Sequence, residues 1–91
     1  MIYYYTLLQS RAQAFLLERR LKSEGIECEL SYMPKAIILD LCNMGVKFEE
    51  KVFTKAVSAI RRAAIPGSRL YKEIKYPDRC EYVEVSLDRA R

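Results

Sequence analysis

Three cysteines, Cys28, Cys42 and Cys80, are the side chains of this 91-residue chain best suited to nucleophilic chemistry, and the chain contains no histidine. That absence removes the commonest general base and metal ligand, together with every Ser-His or Cys-His pair. The cysteines are odd in number and widely spaced, which matches neither a disulfide framework nor a paired CxxC zinc pattern. No metal and no cofactor is therefore expected. Asp40, Glu49 and Glu50 form the candidate acidic cluster, but the two glutamates read as charges favouring a helix N-terminus. Acid–base enzyme chemistry has little to stand on, and the chemistry left open is that of a thiol.

The elements that must position such a thiol follow from periodicity. Residues 2–7, IYYYTL, are aromatic and β-branched and read as a first strand. A helix follows over residues 10–25, with Ser10 and Gln13 as a capping box and Gly25 closing the C-terminus. Its stripe is Ala14, Leu17 and Leu21, widened by Phe15. Residues 26–32 alternate Ile26, Cys28, Leu30 and Tyr32, a second strand that places Cys28 in the core. Met33-Pro34-Lys35 breaks that strand. Cys42, Met44, Val46 and Phe48 alternate through a third strand over residues 42–48, with 36–41 an extension or an apolar loop. A second helix spans 49–64 with an acidic first turn and a basic last turn. A fourth strand (69–75), a turn (76–79) and a fifth strand (81–87) follow. One domain over residues 1–88 and a loose tail at 89–91 are expected. The order of elements predicts an α+β, ferredoxin-like split βαβ sandwich (βαββαβ), with both helices on one sheet face and an extra C-terminal strand.

In that topology the first strand ends at the edge where the third begins, and the first helix starts there too. Cys42 is then expected near Ser10 and the free amides of the first helical turn, with Arg11 and Lys35 as further cationic support. A helix N-terminus and nearby cations lower a thiol pKa. The alternative is that Cys42, sharing the parity of Met44, Val46 and Phe48, points into the core as a small apolar side chain.

The pattern resembles the selenium/sulfur carrier protein-like family from residue 1 to about 72. The resemblance rests on Tyr3-Tyr4-Tyr5, Ser10, Ala14, Glu18, Leu21-Lys22, Gly25-Ile26, Pro34-Lys35, Cys42 and Lys47-Phe48. It departs where the family has a serine-rich stretch ending in Cys-Gly; here the run is IILDL and the residue after Cys42 is Asn43. The resemblance implies a cysteine that carries sulfur or selenium, and a protein donor or acceptor as partner.

Other classes can be weighed on residues alone. The net charge of +4 is spread along the chain, and the pairs Arg19-Arg20 and Arg61-Arg62 fall late in helices, where cations favour the dipole. Tyr3 and Tyr5 fall on the open sheet face, as stacking aromatics do in RNA-binding sheets, but the third-strand positions that would complete such a platform hold Asn43 and Gly45. The reading is therefore against nucleic acid. A non-catalytic dimeric ligand-binding or regulatory module is the alternative function. A bare sheet face calls for a cover, so a homodimer is expected through Tyr3 and Tyr5, through the fifth strand with Val83 and Val85, or both. No apolar run approaches the length of a membrane span, and no basic stretch precedes an apolar one at the start, so the expected location is the cytoplasm.

Overall fold

The computed structural model describes residues 1–37 and 44–87. In chain order it contains β1 (Ile2–Leu7), α1 (Arg11–Ser23), β2 (Glu29–Tyr32), a 3₁₀ turn (Lys35–Ile37), β3 (Met44–Glu49), a second 3₁₀ turn (Glu50–Val52), α2 (Phe53–Ala63), β4 (Arg69–Lys75) and β5 (Cys80–Val85). The strands form one sheet in the order β2-β3-β1-β4-β5, with every neighbouring pair antiparallel. The fold is α+β, a five-stranded antiparallel sheet with two helices. The fifth strand pairs on the outer edge of the fourth.

Local chemistry explains the helix ends. Ser10 is extended, and its Oγ accepts a hydrogen bond from the Gln13 N–H at 3.2 Å. The Gln13 side chain reaches past the expected partner and accepts from the Gln9 N–H at 3.1 Å. Gly25 (φ 76°) takes the left-handed conformation after α1, which favours glycine because it has no Cβ. After α2 that conformation falls on Ala64 (φ 50°).

Period-two alternation in β1 divides its side chains between two cores. Tyr4 joins Val46, Phe48 and Leu70 beneath the buried faces of both helices, formed by Ala14, Leu17 and Leu21 on α1 and Ala56, Val57 and Ile60 on α2. Tyr4 stacks on Phe48 (5.5 Å, 10°) and tilts against Phe53 (4.6 Å). Tyr5 and Leu7 point the other way, where Met33, Ile37 and Tyr71 form a second, smaller core. The sheet is therefore a middle layer, and the segment after β2 folds over its helix-free face. Gly45 allows this close cover, since a Cβ there would collide with the Thr6 carbonyl and with Met33.

Several expectations change. Phe15 is half exposed (50%) and leaves the α1 stripe, because one helical position turns a side chain about 100° away from its neighbour. β2 is shorter than the alternation suggests and begins at Glu29; Ile26 and Cys28 still pack on the main core, whereas Tyr32 is exposed. β5 begins one residue early, at Cys80, and ends at Val85.

Thr6 is fully buried, and its Oγ1 has no hydrogen-bond partner among the described residues. A buried hydroxyl left unpaired costs about 1–3 kcal/mol. Thr6→Val keeps the shape and removes the polar atom, so it is expected to raise stability by about 1 kcal/mol, measured as a higher denaturant midpoint at unchanged slope.

Candidate functional site

The register places the ends of three elements together. Leu7 pairs with Gly45 and Thr6 with Val46, so β1 ends at the edge where β3 begins, and the Ser10 cap of α1 lies three residues beyond Leu7. With Gln13 capped by Ser10 and the Ala14 N–H bonded to the Ser10 carbonyl at 3.1 Å, the Arg11 and Ala12 amides have no acceptor inside the helix. Cys42 itself lies outside the described residues. Of its expected companions, Ser10 spends its hydroxyl on the helix cap, and Arg11 is exposed at the first helical position. Lys35 is also exposed, but it belongs to the 3₁₀ turn whose Ile37 packs on the helix-free face. Among the described residues no hydrogen bond or ion pair joins Ser10, Arg11 and Lys35.

The other two cysteines differ sharply in setting. Cys28 is half-buried against the helix-side core, and its Sγ lies 3.9 Å from the Glu18 carbonyl. Burial pushes its thiol pKa up, against a smaller opposing pull from Lys22, and the charges of Glu18 and Glu29 push the same way as burial. A thiol so held is protonated at neutral pH and a poor nucleophile. Cys80 is exposed at the start of β5, opposite Lys75.

The helix-free face holds what sequence reasoning missed. Across the sheet, Lys47, Tyr5, Tyr71 and Glu84 form one row, and Glu49, Tyr3, Glu73 and Tyr82 the next. Glu73 is almost completely buried (2%). Its Oε2 accepts a 2.6 Å hydrogen bond from the Tyr82 hydroxyl, while its Oε1 has no hydrogen-bond partner among the described residues. Burial and the charge of Glu73 push the Tyr5 hydroxyl up to about 12, and burial with the hydrogen bond to Glu73 raises Tyr82 as well. Lys47 Nζ stands 4.3 Å from the Tyr3 ring centre, and Lys75 Nζ 5.5 Å. The available signal was parity: Glu73 falls on the same row as Tyr3 and on the same face as Tyr71.

This layer bears on the proposed interface. Tyr3 and Tyr5 do share the helix-free face, but Tyr5 is 5% exposed beneath the chain's own Met33 and Ile37, and it offers no ring face to a base or a second subunit. Val85 packs with the helix-side core and Val83 has the same parity, so the two valines and the two tyrosines lie on opposite faces.

The described residues thus form a small α+β protein in which Cys28 is half-buried and Cys80 is exposed at the start of β5. The chain belongs to the family described as "Putative Se/S carrier protein-like", matching it over residues 3–72. No curated protein and no solved structure matches the chain.

Two expectations follow from the buried carboxylate. Tyr82→Phe removes the hydrogen bond made to Glu73 and is expected to destabilise by about 1–3 kcal/mol. In a Glu73→Gln background the same change costs less, because no buried charge is abandoned; a double-mutant cycle in denaturant measures the difference. The second expectation concerns alkaline pH. The folded Tyr5 pKa, about 12, lies above its ordinary value of 10.0. Its contribution to stability is complete below pH 10 and is lost as pH rises towards 12. Tyr5→Phe should flatten that alkaline decline in a denaturation series.

Proposed function

We propose that the protein carries sulfur or selenium on Cys42, received from and passed to protein partners. The observation that carries this reading is the span of the family match. Residues 3–72 include Cys28 and Cys42 but not Cys80, and Cys28 is packed against the core with its thiol pushed towards the protonated form. Ser10, Arg11 and Lys35 are proposed as its supporting groups. In the loading step the Cys42 thiolate attacks the terminal sulfur of a donor persulfide, R–S–SH. A new S–S bond forms on Cys42, the donor S–S bond breaks, and R–S⁻ leaves, so no external oxidant or reductant is consumed.

The scaffold is read as ferredoxin-like, a reading supported by the β1-α1-β2-β3-α2-β4 order and by both helices packing on one side of the sheet. A cytoplasmic location is proposed. Among the described residues no helix is long and apolar enough to cross a membrane. A homodimer is also proposed. Its support is the outer edge of β5, which pairs with no strand among the described residues and carries Val83, 51% exposed.

Exposure to sodium polysulfide, followed by intact-mass measurement, should add sulfur to the protein. Cys42→Ser should abolish the addition, while Cys28→Ser and Cys80→Ser should keep it. Sulfur retained in Cys42→Ser would end the carrier reading for that residue and favour the non-catalytic binding module. Light scattering should give twice the 10.7 kDa chain mass, and Val83→Lys should return the mass to that of one chain.

A further inference from the structure

The outward face of α1 carries a feature that neither the core nor the thiol chemistry uses. Ala12, Phe15, Leu16 and Arg19 recur at the spacing i, i+3, i+4, i+7, which places them on one side of the helix. It is the side away from Ala14, Leu17 and Leu21, which are buried. Phe15 is 50% exposed and Leu16 63%, so two large apolar side chains stand next to one another in solvent. Cations surround them: Arg11 one turn before Phe15, Arg19 one turn after it, and Arg20 one turn after Leu16. Arg20 is engaged by Glu24 at 3.8 Å, whereas Arg11 and Arg19 have no acidic partner among the described residues. The patch runs from Arg11 to Arg20 along the helix, which begins at the sheet edge where the chain enters β3.

We infer that this patch is the docking surface for the protein that exchanges sulfur with the carrier, and that the partner presents an apolar face rimmed by acidic side chains. The inference rests on the carrier reading for its purpose but not for its geometry. Phenylalanine and arginine are enriched at interfaces, and a charged rim sets encounter rate and partner choice. The same rim argues against a second copy as occupant, since two such faces would bring Arg11, Arg19 and Arg20 against their own kind. Two large apolar side chains at the centre of the patch are contacts suited to a protein surface rather than to phosphates.

The test uses two synthetic amphipathic peptides with the same leucine face, one flanked by glutamates and the other by lysines, each ending in a cysteine persulfide. At low salt the acidic peptide should load Cys42 at least about tenfold faster than the basic one, and the advantage should shrink as salt is added. The double variant Phe15→Ser/Leu16→Ser and the single variant Arg19→Glu should each erase that preference. Neither should change the polysulfide rate or the melting midpoint. Equal rates for the two peptides, or a preference that survives both variants, would overturn the docking surface. A failure of polysulfide to load Cys42 would instead overturn the carrier reading. In that event the thiol forms of the peptides still decide the surface: fluorescence anisotropy should show the acidic one binding and both variants losing it. Binding by neither peptide, or co-sedimentation with anionic vesicles in place of peptide binding, counts against it.

Discussion

Strand β1 runs through the centre of the sheet, and its strict alternation divides the protein into two cores. Tyr4, Thr6 and their cross-strand neighbours Val46 and Leu70 face the helices; Tyr3, Tyr5 and Leu7 face the opposite side. A slip of one residue would exchange the two sets and send every aromatic of this strand to the wrong layer. Pairing on both flanks, with β3 and with β4, makes such a slip costly. The positions of α1, of the covering segment and of the sheet edge entered by β3 all depend on that register.

The two cores are made of different material. Beneath the helices the packing is almost wholly apolar, with Thr6 as the buried polar exception. On the far side a short apolar cover, Met33 and Ile37, meets a tyrosine-rich surface in which Glu73 is sealed and held by Tyr82 of the last strand. A buried carboxylate is a poor source of stability, because its desolvation offsets what its hydrogen bond contributes. What it does supply is direction. The observed pairing of β5 on β4, with Tyr82 opposite Glu73, brings the Tyr82 hydroxyl to that oxygen. The family match ends at residue 72, one position before Glu73, so both partners of this polar tie lie just beyond the matched span, on β4 and β5.

Charge is deployed by place rather than by amount. Glu18 binds Lys22 at 3.2 Å and also accepts the Leu30 N–H at 3.3 Å, fastening α1 to the edge strand β2. Glu24 receives Arg62 at 2.6 Å and so links the ends of the two helices. Glu18 and Glu24 are thus occupied by neighbours, while Arg11 and Arg19 face solvent. This asymmetry gives an exposed apolar pair its basic surroundings at the sheet edge where a helix N-terminus and the entry to β3 meet.

Much of this was legible in the residues. Strand β1 over residues 2–7, β4 over 69–75, the Ser10 cap and the left-handed Gly25 follow from patterns that depend only on near neighbours in the chain. So does the parity that sends Tyr4 one way and Tyr3 and Tyr5 the other. The family was legible too, through weak signals in the right order. The fate of each face was not. Nothing local to Tyr5 says that Met33 and Ile37 will cover it, nothing near Glu73 says that it will be sealed and met by Tyr82, and the helical stripe alone placed Phe15 in the core. Those outcomes depend on which distant segments arrive over a surface, and a one-dimensional pattern records which side a residue takes but not what meets it there. Sequence by itself determined the elements, their order and their faces; tertiary packing decided which faces were closed by the chain itself and which, like the outer side of α1, were left to solvent.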